Sequence, residues 1–376
     1  MSLRPLVKSA FKALTSRGAR VYRLALVSLM VLLSAPLVSG IAWLRQDWRY
    51  QRAKFLHKGI MRRFEIALYH LVIVPLVAFL PAPLAYGVAC LRGDWCYRWD
   101  TSTREDVMRS LEWILGDQLS AAERARVVRD FFCVRSCEAV DVIRMVGKGR
   151  ALARLVEIRG LEHIEAALDA GKGAILCGAH FGSYNCCFSL LGALGFPITV
   201  IGRWPSKIDG NRSLMERFLH RLVFQKLVER HRHRPNIEPR AGQFGVAVQA
   251  AAVLRQNELI GTHLDPPVIA ADRSRAASMN FLSGQALLLP GAITIAQLMG
   301  APVLMTFMRR SEDWRHQVLE ISSPMPLNGD AVTAFGRCLA VVEAAIRRDP
   351  AQWLYWRLSA LVQLGLLPKE AMKAHA

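Results

Sequence analysis

AILCGAHFGSYN, residues 174–185, is the stretch of this 376-residue sequence that decides the fold. Its first five residues form an uninterrupted apolar run, which is typical of a strand buried on both faces of a parallel sheet. The residues that follow predict a turn that opens a helix. His180 therefore stands just past the carboxyl end of a predicted strand, where open α/β sheets bind their ligands. A histidine in that position can take a proton from a hydroxyl group of a substrate.

Short apolar runs alternate with helical stretches on both sides of this unit. Strands are predicted at 156–158, 174–178, 198–201, 259–262, 279–281, 303–306 and 318–321. Helices are predicted at 161–170, 187–194, 245–256, 292–299 and 331–348. This alternation predicts an α/β fold with a largely parallel sheet that is flanked by helices on both faces.

Two capping boxes predict helices ahead of the first strand. Ser102 and Ser120 each precede a glutamate by three residues, in Ser102-Thr103-Arg104-Glu105 and Ser120-Ala121-Ala122-Glu123. The second of these helices should end by Gly147 or Gly149. We expect a basic, hydrophobic, membrane-anchoring region over 1–100 and a catalytic domain over 101–376, in which 101–150 is a helical lead-in.

The N-terminal region contains the membrane signals. Residues 24–44 are 21 residues without a charge, which as a helix is roughly 31 Å long and matches a hydrocarbon core. This run is too long for a cleaved signal peptide. A second apolar run, 66–91, contains Pro75, Pro81 and Pro83, which favours a broken or surface-lying element.

Basic residues dominate the charge of the chain, with 49 lysines and arginines against 30 acidic residues and a net charge of +19. Basic groups stand on both sides of the run 24–44, so two full spans would oppose the positive-inside tendency. One span, or none, with the second run on the cytoplasmic face fits better. The excess charge predicts attraction to an anionic membrane surface and to an acidic carrier protein. No nucleic-acid-binding motif accompanies it, so we expect no nucleic acid partner.

The histidine box resembles the His-x4-Asp/Glu box of glycerolipid and lipid A acyltransferases, with Asn185 where those families have a carboxylate. One further block precedes the box at 156–162, and others follow it in order at 201–205, 264–266, 281–284, 290–291, 298–303 and 349–356. Taken together, from about Phe64 to Arg357, they resemble the bacterial lipid A biosynthesis (late, or secondary) acyltransferase family. The fold that this implies is glycerolipid-acyltransferase-like.

The resemblance implies transfer of a fatty acyl chain from acyl carrier protein to a hydroxyl of a membrane lipid acceptor, usually a lipid A precursor. It places the protein at the bacterial inner membrane, with its catalytic domain on the cytoplasmic face. His180 would be the general base, and neither a covalent enzyme intermediate, a cofactor nor a metal is implied. No Cys/His spacing typical of a metal site occurs either.

Asn185 leaves three outcomes open. The amide accepts a hydrogen bond and orients the histidine ring but carries no balancing charge. Another carboxylate, such as Asp265, substitutes for it. Otherwise the chain has lost catalysis and binds acyl chains or carrier protein only.

Five further residues are candidates for substrate binding: Gly182, Arg203, Asp265, Phe281 and Gly284. Arg203 follows a predicted strand, where a guanidinium binds a lipid phosphate or polarises a thioester carbonyl, unless it is an ordinary loop residue. Asp265 follows the strand 259–262 on the crevice side, where a turn or cap role is the alternative. Trp353, Tyr355 and Trp356 are interpreted as packing residues or interfacial anchors.

Several alternatives to lipid A acylation remain open for the acceptor and for the catalytic group. A glycerolipid acyltransferase that uses lysophosphatidic acid shares the histidine chemistry, and an amino-acid lipid or a polyene pigment is another possible acceptor. Cys186 and Cys187, next to the histidine box, suggest a thiol nucleophile less strongly. The basic, partly apolar stretch 211–234 suits contact with anionic lipid or an acidic carrier, or is a solvated helix face.

Overall fold

The apolar runs of the sequence form one six-stranded sheet. The computed structural model describes residues 80–148, 156–202, 230–239, 245–268, 270–311, 316–368 and 370–371. The strands are β1 (Val156–Arg159), β2 (Ala174–Gly178), β3 (Ile198–Val200), β4 (Leu259–His263), β5 (Ala277–Phe281), β6 (Gly284–Leu288), β7 (Val303–Arg310) and β8 (Gln317–Pro324). The main sheet has the order β1-β8-β7-β2-β4-β3, and β5 pairs with β6 separately.

The main sheet is mostly parallel, as the sequence predicts. β7, β2, β4 and β3 run in one direction, and β8 and β1 run in the other. The reversal falls between β7 and β8, which are antiparallel. Only residues 311–316 connect them, and a connection this short cannot return the chain for parallel pairing.

The predicted strand at 279–281 belongs to a separate hairpin rather than to the main sheet. It is part of β5, which pairs antiparallel with β6 across Leu282 and Ser283. Leu282 has a positive φ of 53°, the conformation that a tight two-residue hairpin turn requires. The sequence analysis did not predict β6, because its apolar residues merge with the helical stretch that follows.

Helices cover both faces of the sheet. They are α1 (Ala82–Trp99), α2 (Thr101–Leu115), α3 (Ala121–Lys148), α4 (Leu161–Asp169), α5 (Tyr184–Leu194), α6 (Gly245–Arg255), α7 (Gly291–Met299), α8 (Ala331–Arg348) and α9 (Leu358–Leu364). Two short 3₁₀ helices lie at Ala270–Arg275 and Pro350–Gln352.

Alternate residues of β2 belong to two different hydrophobic cores. Ile175 and Cys177 pack in the core that contains residues of α6, α7 and α8. Ala174 and Leu176 pack in the core that contains residues of α4 and α5. Both faces of the strand are therefore buried, which is why its sequence is apolar throughout rather than alternating.

The two capping boxes have different outcomes. Ser120 caps α3 as predicted, since its hydroxyl accepts from the backbone N–H of Glu123 at 3.3 Å while the Glu123 carboxylate accepts from the backbone N–H of Ser120 at 2.8 Å. The prediction for Ser102 is wrong. Asp100 caps α2 instead, with its carboxylate accepting from the Thr103 N–H at 3.1 Å, because a nearby aspartate two residues earlier competes for the same orphan N–H groups.

The predicted membrane run 24–44 lies outside the described residues. Of the second run, only residues from 80 onward are described, and α1 begins directly after Pro81 with Pro83 in its first turn. Within the described part of the chain, no helix combines the length and the apolar character needed to cross a membrane. α1 packs along α3, and the expected domain boundary at residue 100 stays a prediction.

The outward side of α1 is apolar. Leu84, Leu91, Trp95 and Trp99 are 59%, 71%, 60% and 69% exposed, and their spacing of seven and four residues places them on one stripe of the helix. The rings of Trp95 and Trp99 lie 5.5 Å apart. We call these four residues the α1 stripe.

Candidate active site

His180 and Asp265 meet because their strands are neighbours. β2 and β4 are parallel and adjacent, with Gly178 opposite His263. His180 stands two residues beyond the end of β2, and Asp265 two residues beyond the end of β4. The carboxyl ends of both strands therefore bring a base and an acid to one edge of the sheet, which is where α/β folds place ligands.

Asp265 holds His180 through both backbone and ring. Its two carboxylate oxygens lie 3.1 and 2.9 Å from the backbone nitrogen of His180, which donates to them. The ring nitrogen Nδ1 lies 2.8 Å from Oδ1. A carboxylate can only accept, so Nδ1 carries the proton and Nε2 is left with its lone pair. The ring is thus oriented as a base through Nε2.

Asp265 is fully buried, yet its environment favours the charged form. Burial acts to raise the pKa of its carboxyl, but the charge of His180 and the hydrogen bonds from His180 and Trp353 outweigh burial and lower the pKa below its usual range. Trp353 donates its Nε1–H to Oδ2 at 2.9 Å. The carboxylate therefore stays ionised beside the histidine.

Aromatic rings enclose the imidazole of His180. Its ring centroid lies 4.7 Å from that of Tyr184, 4.5 Å from that of His263 and 4.8 Å from that of Tyr355. Burial, together with the charge of His180, lowers the pKa of His263 to about 3, so His263 is neutral near pH 7. The side chain of His180 is 17% exposed, so part of the imidazole remains accessible to solvent.

The C-terminal segment 349–356 closes one side of the site. The Leu354 N–H donates to the His180 carbonyl at 2.9 Å, and the Gly182 N–H donates to the Gln352 carbonyl at 2.9 Å. The Gln352 side chain in turn bonds the backbone N–H and carbonyl of Arg310. Trp353 and Trp356 are fully buried, so they are packing residues and not interfacial anchors. Trp353 also donates a hydrogen bond to Asp265, a role that was not predicted from the sequence.

Gly182 shapes the turn after His180. Its φ is +58°, and a Cβ added there would lie 2.1 Å from the carbonyl oxygen of Met308. Any side chain would clash with β7, and the left-handed conformation also favours glycine. The structure thus explains Gly182 by close backbone packing, while a contact with substrate stays a prediction.

The Asn185 side chain faces a different carboxylate. Its Nδ2 donates to Oε1 of Glu138, on α3, at 2.7 Å. The other oxygen of Glu138 pairs with Nη1 of Arg135 at 3.0 Å. The ring of His180 thus donates to Asp265, while Asn185, the second residue of α5, bonds α3 instead.

A second acid on α3 lies beneath the start of α5. Asp141 is fully buried and accepts from the Tyr86 hydroxyl at 2.7 Å, from the Ser183 hydroxyl and from the guanidinium of Arg310. Arg310 also stands over the Tyr86 ring, with 4.9 Å to its centroid. This network ties α1, α3, β7 and the turn before α5 together at one buried charge pair.

Glu138 and Asp141 were not predicted as site residues, although their spacing along the helix indicates that both lie on its apolar face. Val134, Glu138 and Asp141 are spaced by four and three residues and are all buried, so the two acids fall on the apolar face of an amphipathic helix. Charges in such positions are buried only when they are paired.

For the other predicted site residues, the structure shows no contact with His180 among those it describes. The Phe281 ring lies 6.0 Å from the Trp353 ring, edge on, so Phe281 supports the residue that holds Asp265. Gly284 opens β6, where a Cβ would lie 3.4 Å from Leu366. Arg203 lies outside the described residues. Substrate contact by these three stays a prediction.

The cysteines beside the histidine box are unsuited to nucleophilic catalysis. Cys186 and Cys187 are buried, and burial raises the pKa of both thiols, which disfavours the reactive thiolate. Among the described residues, no group of three or more His, Cys, Asp or Glu side chains is placed to hold a metal ion.

Comparison with known families decides the assignment. The family model for bacterial lipid A biosynthesis acyltransferases matches residues 53–358. The chain belongs to this family. The match covers the whole described sheet, the His180–Asp265 pair and the C-terminal segment through Trp356, in agreement with the resemblance deduced from the sequence blocks. No curated protein matches the chain significantly.

The name of this family describes acyltransferases of lipid A biosynthesis, which supports acyl transfer as the type of reaction. The acid that contacts the ring of His180 is Asp265, which follows the end of β4 and lies 85 residues later in the chain.

Proposed function

We propose that this protein transfers a fatty acyl chain from an acyl thioester to a hydroxyl of a membrane lipid, with His180 as general base and Asp265 as the residue that orients it. The observation that carries the proposal is the 2.8 Å contact of Asp265 with Nδ1 of His180. It leaves Nε2 free to accept a proton in an opening at the strand ends.

The reaction needs one base and no enzyme-bound intermediate. Nε2 of His180 accepts the proton of the acceptor hydroxyl while the hydroxyl oxygen forms a bond to the carbonyl carbon of the thioester. The carbon–sulfur bond then breaks, and the imidazolium returns the proton to the departing thiolate. Asp265 stabilises the imidazolium during this sequence, because it stays ionised next to the ring.

Of the three outcomes open for Asn185, this geometry supports the second, in which another carboxylate substitutes. An amide at 185 removes the charge from the family position, but Asp265 supplies both the orienting bond and the charge. Loss of catalysis therefore does not follow from Asn185.

The donor and acceptor follow from family and charge. We infer acyl carrier protein as donor, because it is acidic and this chain has a net charge of +19. We infer a lipid A precursor or related glycolipid as acceptor, at the cytoplasmic face of a bacterial inner membrane. The α1 stripe supports contact with such a membrane, since exposed tryptophans are enriched at membrane–water interfaces.

The test is mass spectrometry of membrane lipids from a strain that lacks the protein, complemented with the parent chain, with His180→Ala or with His163→Ala. His163 lies on α4, away from the strand ends, and is a matched control for the loss of a histidine. We expect one lipid class to gain a single acyl chain in cells with the parent or His163→Ala, and not with His180→Ala.

The same experiment separates the alternatives. Conversion of lysophosphatidic acid to phosphatidic acid, in place of acylation of a glycolipid, would make the protein a glycerolipid acyltransferase. Identical lipids in the uncomplemented strain and in its three complemented derivatives, with the three proteins present at equal levels, would contradict acyl transfer and support an inactive homologue.

A further inference from the structure

A second histidine, His263, lies beside His180 and has no place in the reaction proposed above. It is the last residue of β4, and its side chain is partly exposed, whereas residues 259–262 of the same strand are buried. Its ring centroid lies 4.5 Å from that of His180, and the two ring planes are tilted by 38°. A second imidazole is therefore present at the edge of the sheet where His180 stands.

The segment that follows β4 brings two polar side chains to the ring of His180. The Leu264 N–H donates to the Gly178 carbonyl at 2.9 Å, so the chain stays extended beside β2 for one residue beyond the strand. Residues two apart in an extended segment lie on the same face. Asp265 contacts Nδ1 of His180 at 2.8 Å, and His263 packs against the ring itself. The segment that orients the base thus also carries a second imidazole.

The ring of His263 contacts other rings rather than polar groups. Its centroid lies 5.4 Å from that of Tyr184 and 5.2 Å from that of Phe188, in addition to the contact with His180. Within the described ranges of the chain, no protein group forms a hydrogen bond with either ring nitrogen of His263. An apolar ring would pack here without leaving polar atoms unpaired, which costs free energy. The nitrogens of His263 are therefore available to a ligand.

His263 is a neutral hydrogen-bond donor near pH 7. Burial and the charge of His180 lower the pKa of its ring to about 3, so the ring carries one N–H and one lone pair. A positive charge this close to His180 would oppose the imidazolium that forms there during proton transfer. A neutral N–H avoids this repulsion and still stabilises an oxygen that gains negative charge.

We propose that His263 is a catalytic residue that donates its ring N–H to the carbonyl oxygen of the acyl thioester. This inference rests on the proposed function. When the acceptor hydroxyl attacks the carbonyl carbon, negative charge develops on the carbonyl oxygen, and the N–H of His263 stabilises it. The proton stays on His263, and the charge passes to sulfur when the carbon–sulfur bond breaks. His180 thus acts on the hydroxyl and His263 on the carbonyl.

Two tyrosine hydroxyls are the competing donors. The rings of Tyr184 and Tyr355 lie 4.7 and 4.8 Å from that of His180, and burial raises the pKa of both hydroxyls, so both keep their protons. The ring of His263 lies nearer to His180, and it is held by a strand of the main sheet two residues before Asp265. These observations favour His263, and Tyr184→Phe and Tyr355→Phe test the alternative.

Three substitutions at position 263 separate a hydrogen-bond donor from a packing ring. His263→Phe keeps an aromatic ring and removes the donor. His263→Gln and His263→Asn lose the ring but place an amide N–H near the position of Nε2 and of Nδ1, respectively. His163→Phe is the matched control, because His163 on α4 is also partly exposed and lies away from the strand ends.

The first measurement is steady-state acyl transfer on protein of verified thermal stability. We expect His263→Phe to lower kcat by about 10²-fold or more with KM nearly unchanged, because the donor acts mainly in the transition state. The better of His263→Gln and His263→Asn should recover at least about 10-fold of this loss, and it identifies the nitrogen that donates. His163→Phe should match the parent.

The opposite ranking would overturn the proposal. A packing ring predicts that His263→Phe is at least as active as both amide variants, since only phenylalanine preserves the aromatic contacts. A larger loss of kcat in Tyr184→Phe or Tyr355→Phe than in His263→Phe would assign the donor to that tyrosine and would also contradict the role of His263.

A second measurement does not need turnover. The probe is hexadecanoyl-pantetheine, isotope-labelled at the carbonyl carbon and bound to the full chain without acceptor lipid, in a detergent that has no hydroxyl groups. Infrared difference spectroscopy reports the stretching frequency of the labelled carbonyl, which falls when its oxygen accepts a hydrogen bond. We expect a lower frequency in the parent and in His163→Phe than in His263→Phe.

The spectroscopic result separates this inference from the proposed function. Equal carbonyl frequencies in the parent and His263→Phe would overturn the role of His263, whether or not the protein transfers acyl chains. A lowered frequency in the parent, together with unchanged membrane lipids, would contradict acyl transfer to a lipid and still support His263 as the donor. Failure of the thioester to bind would contradict both proposals.

Discussion

The two sides of the turn that carries His180 both use buried acids, but they use them differently. On the sheet side, Asp265 accepts from the reactive ring, from the His180 backbone and from Trp353. On the α3 side, Asp141 accepts from Tyr86, Ser183 and Arg310, none of which is a base. In the proposed reaction the sheet side orients the base, whereas the Asp141 network joins α1, α3 and β7 to the turn on which α5 begins. Substitutions on the two sides should therefore separate activity from stability.

The largest effect is expected on the sheet side. Asp265→Asn keeps an oxygen that accepts from the backbone of His180, but it removes the charge and lets the ring adopt the wrong tautomer. We expect kcat to fall by about 10³–10⁴-fold, with a stability loss of only about 1–3 kcal/mol because one buried donor loses its acceptor. The measurement is steady-state acyl transfer on protein of verified thermal stability. A loss below about 10-fold would place the orienting role elsewhere.

The next effect is on stability, on the α3 side. Asp141→Asn leaves the buried guanidinium of Arg310 without its counter-charge, which typically costs about 3–5 kcal/mol. The free energy of unfolding from urea titration in detergent checks this, with Asp94→Asn as control. Asp94 pairs with Arg129, whose side chain is 58% exposed, and such a pair contributes about 1 kcal/mol or less.

The activity of folded Asp141→Asn protein further tests whether the sheet side and the α3 side have separate roles. Below its unfolding transition, Asp141→Asn should keep kcat within about 10-fold of the parent, because Asp141 does not contact the ring. If Asp141→Asn instead loses activity as Asp265→Asn does, at unchanged stability, the two sides are not separate.

These contrasts also show what the sequence reveals. The fold follows from residues that act locally: the apolar run 174–178 gives a buried strand, Ser120 caps its helix, and α8 spans the predicted residues 331–348. The position of His180 at the edge of the sheet is predictable for the same reason, because His180 directly follows the apolar run that forms β2. The partner of its ring was predicted only as one of three outcomes, because adjacency of β2 and β4 depends on strand order, which no local pattern encodes.

The α3 side was missed for a different reason. Glu138 and Asp141 read as ordinary charges of an amphipathic helix until their burial against Asn185 and Arg310 is known. Arg310 lies about 170 residues later in the chain than Asp141, so the pair forms only in the folded state. The cap of α2 was also predicted wrongly. Asp100 and Ser102 are both good capping residues two positions apart, and Asp100 caps the helix.

A smaller effect is expected from His263, which lies on the sheet side. Its pKa is lowered to about 3 from an unfolded value of about 6.5. The unfolded chain therefore takes up a proton between these values that the folded chain does not. Stability from this residue is complete above about pH 6.5 and is lost as the pH falls, by about 1.4 kcal/mol per pH unit.

The check is the free energy of unfolding at pH 7.0 and 5.5 for the parent and for His263→Phe, which keeps an aromatic ring beside His180 and Phe188. We expect the parent to lose more stability than the variant over this interval. Equal losses would mean that His263 becomes protonated in the folded protein.

The smallest effect is expected within α5 itself. Cys186→Ala and Cys187→Ala remove two buried thiols that neither side of the turn uses, so kcat should stay within about 3-fold of the parent, with a stability loss of about 1 kcal/mol each. The assay is the same acyl transfer. A loss of kcat as large as that expected for His180→Ala would support a thiol nucleophile and would contradict His180 as the general base.

The closing of the site by segment 349–356 has a consequence for biosynthesis. A ribosome must extend the chain past Tyr355 before the imidazole of His180 receives its ring contact, its backbone bond from Leu354 and the tryptophan that holds Asp265. Contacts this distant in sequence form late in folding. The contacts that hold the His180–Asp265 pair therefore cannot all form until translation of the domain is essentially complete.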